Sequence, residues 1–111
     1  MTINGNDIRM IRGDTEQLVV TCQLSDGTER PFEEGDTLTL TVAWPLGETV
    51  LQKTVTSFAE GAAEILIAHA DTNELISSEY VYDVQLTARD GTVSTIIPPA
   101  RFVLEGDVTR D

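Results

Sequence analysis

The sequence is poor in the side chains from which catalytic and metal sites are usually built. Its 111 residues include one cysteine, Cys22, and one histidine, His69. One cysteine cannot form an intrachain disulfide, and a zinc site needs several Cys and His ligands. The chain also lacks the Gly-x-Ser-x-Gly and His-Glu-x-x-His motifs and a phosphate-binding glycine loop. We therefore predict that the protein is not an enzyme and has no catalytic, metal-binding or cofactor-binding residues.

Positive charge and long apolar runs are scarce as well. Seven basic residues face 19 acidic ones, which gives a net charge of -12. A surface this negative repels the phosphates of nucleic acids and of anionic lipids. No run of about 20 apolar residues could span a membrane, and the start "MTINGNDIRM" lacks the apolar region of a signal peptide. We expect no nucleic-acid partner, no membrane association and synthesis in a cytoplasm.

Aromatic residues number six in the chain. Four of them fall in phase with apolar neighbours and are predicted to pack in the core: Trp44, Tyr80, Tyr82 and Phe102. Only Phe32 and Phe58 lie in predicted loops. A sugar-binding β-sandwich needs exposed aromatic rings beside a groove, so a carbohydrate-binding module is the alternative function and not the favoured one.

Acidic residues form two loop clusters that invite comparison with calcium sites, namely Glu33, Glu34 and Asp36, and Glu105, Asp107 and Asp111. Neither cluster has the spacing of an EF-hand loop. We expect them to be solvated loop acids.

Strict alternation of apolar and polar residues is the strongest signal in the chain, and it predicts half-buried β-strands. Predicted inward-facing sets are Ile8 and Met10; Leu18, Val20, Cys22 and Leu24; Leu38, Leu40, Val42 and Trp44; Ala63, Ile65 and Ile67; Tyr80, Tyr82, Val84, Leu86 and Ala88; and Phe102 and Leu104. A weaker strand is predicted over residues 49–55. Cys22 is therefore expected to be a small buried hydrophobe.

Residues 79–97 predict a hairpin around Asp90-Gly91. A two-residue type I′ loop would place Ala88 opposite Val93, Leu86 opposite Thr95 and Val84 opposite Ile97. Pro98-Pro99 is expected to end the pairing, with a last strand following toward Val108.

The segment "HADTNEL" predicts a single helical turn, because Asp71 and Glu74 have the spacing of a capping box. His69, just before it, is expected to meet solvent or a carbonyl at a strand end. No longer amphipathic helix is visible.

Together these signals predict an all-β protein: an antiparallel β-sandwich of immunoglobulin-like architecture, with about eight short strands and one short helical turn, forming a single domain over residues 1–111. A small barrel is the other candidate. Sandwich edges expose unpaired backbone groups, so strand edges and the polar tails are the expected contact surfaces for partners.

The tripeptide Arg12-Gly13-Asp14 is an integrin ligand when an exposed loop holds it. Here Gly13 lies where one predicted strand ends and the next begins. We favour a turn glycine over a receptor-binding motif.

The order of several short motifs resembles the baseplate upper protein N-terminal domain family and related small tail proteins of phages. The matching positions are Arg12, Gly13, Asp14, Thr15, Gly35, Asp36, Tyr80, Tyr82, Asp83, Gln85, Leu86, Asp90, Gly91, Thr95, Phe102, Asp107, Val108 and Thr109. The resemblance covers most of the chain, and the Tyr-x-Tyr-Asp hairpin is its most specific part.

This resemblance implies a structural component of a phage or prophage tail or baseplate that acts by protein–protein assembly and supplies no catalytic residues. Its partners would be other tail or baseplate proteins and further copies of itself as a homo-oligomer, and it would reside in the virion. Larger family members continue into a receptor-binding part, whereas this sequence stops at Asp111. The resemblance therefore favours an attachment or adaptor piece over a receptor-binding protein.

Overall fold

The computed structural model describes residues 1–108, which form eight strands and one short helix. In chain order these are β1 (Thr2–Asn4), β2 (Asp7–Ile11), β3 (Glu16–Val20), β4 (Thr37–Ala43), β5 (Thr49–Val55), β6 (Ala63–Ile67), α1 (His69–Thr72), β7 (Ser78–Thr87) and β8 (Val93–Glu105). The predicted all-β class, the number of about eight strands and the single helical turn are confirmed, although β1 was not predicted and the strands predicted on either side of Pro98-Pro99 are one strand, β8. Thr109 and Asp111, named above, lie outside the described residues.

The strands form two sheets that pack as an immunoglobulin-like β-sandwich. One sheet has six strands in the order β1-β2-β8-β7-β4-β5, and the other pairs β3 with β6. Most neighbours are antiparallel, but β2 runs parallel to β8, with Ile8 opposite Phe102 and Ile11 opposite Glu105. Alternation within a strand shows which face is buried but not the direction of its neighbour, so the sequence did not reveal this pair.

The core lies between the inner faces of the two sheets, and nearly all predicted inward positions are buried in it. The buried apolar side chains are Ile8, Met10, Leu18, Val20, Phe32, Leu38, Leu40, Val42, Ala63, Ile65, Ile67, Tyr80, Tyr82, Val84, Leu86, Phe102 and Leu104. The strand predicted to run from Leu18 to Leu24 is shorter than expected, because β3 ends at Val20. Beyond it Cys22 is only half-buried and Leu24 is 52% exposed, so both were wrongly predicted to be fully inward-facing.

The β7–β8 hairpin turns at Asp90-Gly91 as predicted, but through a different loop. Ala88 N donates to Thr92 O at 2.8 Å, and Gly91 N donates to Ala88 O at 2.8 Å. These bonds, with Gly91 at a φ of 90°, define a three-residue loop that ends in a glycine bulge. Because the loop is one residue longer than a type I′ turn, the predicted register near it was wrong by one position.

A bulge further along the hairpin restores part of the predicted register. Leu86 faces Ser94, but the pairing shifts beyond it, so Val84 does face Ile97 as predicted. Pro98-Pro99 does not end the pairing, because β8 continues to Glu105. A second irregularity, between Tyr82 and Val84, lies opposite the prolines. Proline is compatible with a strand at such a bulge, where no ladder donor is required.

The helical turn α1 begins one residue after Ala68, which is its N-cap. Asp71 is therefore not the N-cap but the third helical residue, and its Oδ2 accepts a hydrogen bond from Ala68 N at 2.8 Å. Lys53 Nζ of β5 donates to the same carboxylate at 2.9 Å. The predicted capping box was thus misplaced by three residues, and Asp71 takes the role assigned to Glu74.

Candidate interaction surface

His69 connects α1 to the turn at Gly13. Its Nδ1 lies 2.6 Å from Gly13 O, so the predicted contact with a carbonyl at a strand end is confirmed. Gly13 N donates to Oγ1 of the fully buried Thr72 at 2.8 Å. Both backbone groups of Gly13 therefore bind α1, and its φ of 85° confirms the predicted turn glycine.

The neighbouring Arg12 holds the end of β8 in place. Its Nε and NH2 atoms lie 2.9 and 2.8 Å from Asp107 Oδ1, and NH1 donates to Leu75 O at 3.2 Å. Arg12 is half-buried by these contacts, so residues 12–14 are not displayed as a freely exposed ligand. Asp107 was predicted to be a solvated acid, and this was wrong because it forms the ion pair.

Asp36 is the most deeply buried carboxylate among the described residues, with 2% of its surface exposed. Arg30 NH1 and NH2 donate to its two oxygens at 2.5 and 3.2 Å, and Glu33 N donates at 2.9 Å. The hydrogen bond from the Arg30 guanidinium lowers the pKa of Asp36 below its ordinary value. The expectation of a solvated acid was wrong for Asp36, whereas Glu33 and Glu34 are exposed as expected.

The six aromatic rings all lie in the described residues, and none of them is exposed. Tyr80, Tyr82 and Phe102 are buried, and Trp44 is half-buried against Tyr80 with ring centroids 4.4 Å apart. Burial raises the pKa of both tyrosines, and their hydroxyls donate to the carbonyls of Ile76 and Asn6. Phe32 was assigned to a loop, yet it is buried.

Within residues 1–108, no group of three or more His, Cys, Asp or Glu side chains is placed to hold a metal ion. Every buried side-chain nitrogen and oxygen in the described part of the chain has a hydrogen-bond partner. No described helix is long and apolar enough to cross a membrane. Of the polar side chains that drew attention in the sequence, His69, Asp36 and Asp107 hold turns and strand ends.

One stretch of β8 within the described chain has an unpaired edge. The strand β2 covers only residues 102–105 of β8, and no described residue pairs with residues 93–97 on the side away from β7. We call residues 93–97 the β8 edge. Val93, Ser94 and Thr95 in it are exposed, and Ile96 and Ile97 are half-buried.

A groove of about 340 Å³ runs beside the β8 edge and separates it from residues 21–25. We call it the edge groove. Cys22, Leu24, Leu86 and Ile96 supply the apolar part of its lining, and the remaining lining is polar and includes the charged side chain of Arg30. An adjoining cavity of about 200 Å³ shares Cys22 and is bordered by Glu29 and Glu60. The two sheets are therefore left open to solvent at this margin of the sandwich.

Two sheets around one core, with polar groups engaged in structural contacts, define the chain as an immunoglobulin-like β-sandwich. No family model matches the chain, and no curated protein sequence matches it. A solved structure does resemble it: the crystal structure of CopC from Methylosinus trichosporium OB3b, with a TM-score of 0.51. The match covers 95% of this chain and 89% of that chain at 13% sequence identity. An identity this low shows a common fold and nothing further.

The expected membership of the phage baseplate family was wrong. No family model supports it, and the structural likeness leads to CopC and not to a phage tail protein. The quoted motifs have local explanations. Asp90-Gly91 is a dipeptide that bulged hairpin loops favour, and Tyr80 and Tyr82 occupy alternate positions on the inner face of β7. Many unrelated sandwiches need the same features. The partners and the virion localisation that the family implied lose that support.

Proposed function

We propose that this chain is a structural module that acts by binding other proteins through its open strand edges. The observation that carries this proposal is the β8 edge, which offers unpaired backbone groups beside a partly apolar groove. Such an edge pairs readily with an added strand, and proteins that do not use it usually cover or charge it.

The contacts of the polar side chains favour binding over chemistry. His69 binds a backbone carbonyl, Arg12 pairs with Asp107, and Asp36 pairs with Arg30. A general acid or base must instead face the substrate from a cleft. These three groups stabilise loops, so their removal would damage the fold before it damaged a reaction.

The carbohydrate-binding alternative has less support. Sugar rings stack on exposed aromatic faces, yet all six rings of this chain are buried or half-buried. Phe32 and Phe58, the two rings assigned to loops, pack against each other with centroids 5.2 Å apart.

Site-specific photo-cross-linking in the cells that make the protein tests the proposal. A benzoylphenylalanine is placed at Ile3 in β1, Thr54 in β5 and Val93 in β8, which sample three strand edges. The matched control places it at Glu48, in the exposed loop between β4 and β5 and away from the edge groove. We expect a discrete adduct with a second protein at one or more edge positions and none at Glu48.

Two results would overturn the proposed function. The first is a folded, abundant protein that forms no protein adduct from any of the three edges. The second is saturable binding to one glycan class on a glycan array, which would restore the carbohydrate alternative.

A further inference from the structure

Backbone geometry fixes which groups of the β8 edge are free. Thr92 O accepts from Ala88 N, and hydrogen-bonded and non-hydrogen-bonded pairs alternate along an antiparallel ladder. Ser94, opposite Leu86, therefore directs its backbone groups toward β7. Val93 and Thr95 direct their N–H and C=O groups outward, to solvent. Thr95 is among the residues that line the edge groove.

The other edges of the six-stranded sheet are less suited to a partner. The strand β1 contains only Thr2–Asn4. The strand β5 carries Lys53, whose ammonium group is bound to Asp71. A lysine on an edge strand commonly prevents another strand from pairing with that edge. Residues 91–100, in contrast, contain no charged side chain. The cavity beside β1 is lined mainly by polar and charged side chains, whereas the edge groove contains four apolar ones, so the β8 edge is the best suited of these three.

We propose that the β8 edge and the edge groove bind an extended, positively charged peptide segment of another protein as an added strand. This inference rests on the proposed function and names its site. The peptide would hydrogen-bond to the backbones of Val93 and Thr95 and place alternate apolar side chains in the groove against Leu86 and Ile96. It would close the open margin of the sandwich.

The negative charge of the protein favours a positively charged peptide at this site. The chain carries a net charge of -12, and the exposed acids Glu29 and Glu60 border the cavity that adjoins the groove. Arg30 lines the groove itself, but its positive charge is paired with Asp36. A second copy would bring the same negative charge to the edge, so a basic peptide is favoured over a second copy.

Selection from a displayed library of random ten-residue peptides tests the inference on the full chain. We expect enriched sequences with apolar residues at alternate positions and flanking lysines or arginines. A synthetic peptide of the enriched sequence is then titrated against the wild-type protein and two variants. Thr95→Pro removes the outward N–H, whereas Thr95→Ala keeps it and removes the same side chain. We expect Thr95→Pro to weaken binding at least tenfold and Thr95→Ala to bind like the wild type.

Hydrogen exchange of the wild-type complex gives a second measurement that does not depend on the folding of a variant. The bound peptide should slow exchange of the Val93 and Thr95 amides. Unchanged exchange there, or equal binding by Thr95→Pro, would place the peptide elsewhere and overturn this inference while leaving the proposed function intact. A library without any enriched binder would overturn the inference, and the cross-linking experiment would then decide the proposed function separately.

Discussion

Asp36 shows at the scale of a single residue what the sequence does not reveal. An acid beside Glu33 and Glu34 looks like part of a solvated loop. In the structure it is buried because Arg30 and the Glu33 amide satisfy both of its oxygens. Alternation predicts the burial of strand residues, but the burial of a loop residue depends on how the loop folds back. Sequence periodicity contains no such information.

The first prediction concerns the strength of this ion pair. Asp36→Asn keeps the shape of the side chain but removes its charge, leaving the Arg30 guanidinium without its partner. We expect the free energy of unfolding to fall by about 1–3 kcal/mol, less than for a fully buried pair because Arg30 is partly exposed. Urea unfolding measures the change. The control Glu34→Gln changes an exposed acid nearby and should lower the free energy of unfolding by less than about 0.5 kcal/mol. Equal losses in the two variants would contradict the role of Asp36.

The second prediction follows from the lowered pKa of Asp36. The aspartate has a pKa of about 3.9 in the unfolded chain and a lower pKa in the folded protein. Between these two pKa values the folded state therefore binds fewer protons than the unfolded state. The stabilisation is therefore present above pH of about 4 and is lost as the pH falls through the folded pKa. Unfolding of wild type and Asp36→Asn should differ by a constant amount from pH 5 to 7 and converge toward pH 2. A difference that grows on acidification would contradict this assignment.

At the scale of elements, the sequence predicted the inner faces of β4, β6 and β7 because every second position in them is apolar. It misplaced features that depend on contacts between elements. The parallel pairing of β2 with β8 and the passage of β8 through Pro98-Pro99 both arise from neighbouring strands. The edge groove was missed for the same reason, since it exists only where β3 has ended and β2 has not yet begun to cover β8.

The third prediction concerns the loop of the β7–β8 hairpin. Gly91 has a φ of 90°, and a Cβ at this position would meet no atom within 4 Å. Gly91→Ala should therefore destabilise the protein through backbone strain alone, by about 1 kcal/mol. Gly91→Asn should lose less, because asparagine tolerates this conformation. Thermal unfolding in which alanine and asparagine behave alike would show that the loop is a different turn.

At the scale of the whole molecule, the fold was predictable and the family was not. A β-sandwich follows from about eight alternating strands around one core, and the likeness to CopC supports that architecture. Family membership needs specific side chains, whereas the motifs of this chain are those that hairpins and turns require in general. The excess of acids is a further whole-molecule property that is independent of the fold.

The fourth prediction concerns self-association. With a net charge of -12, copies repel one another, so we expect a monomer of 12.1 kDa at pH 7. Repulsion disappears near the pI of about 4.2, where association should begin. Light scattering across this pH range measures the mass. A stable dimer or higher oligomer at pH 7 would contradict the choice of a separate, basic partner.

The proposed binding site requires a margin of the sandwich that is open before a partner arrives. Amide hydrogen exchange of the isolated protein, resolved by residue with NMR, measures this directly. We predict that the Val93 and Thr95 amides exchange as fast as exposed amides, while the Ser94 amide between them is protected by β7. Protection of all three amides in the isolated protein would mean that the edge is already covered, and it would contradict the central claim.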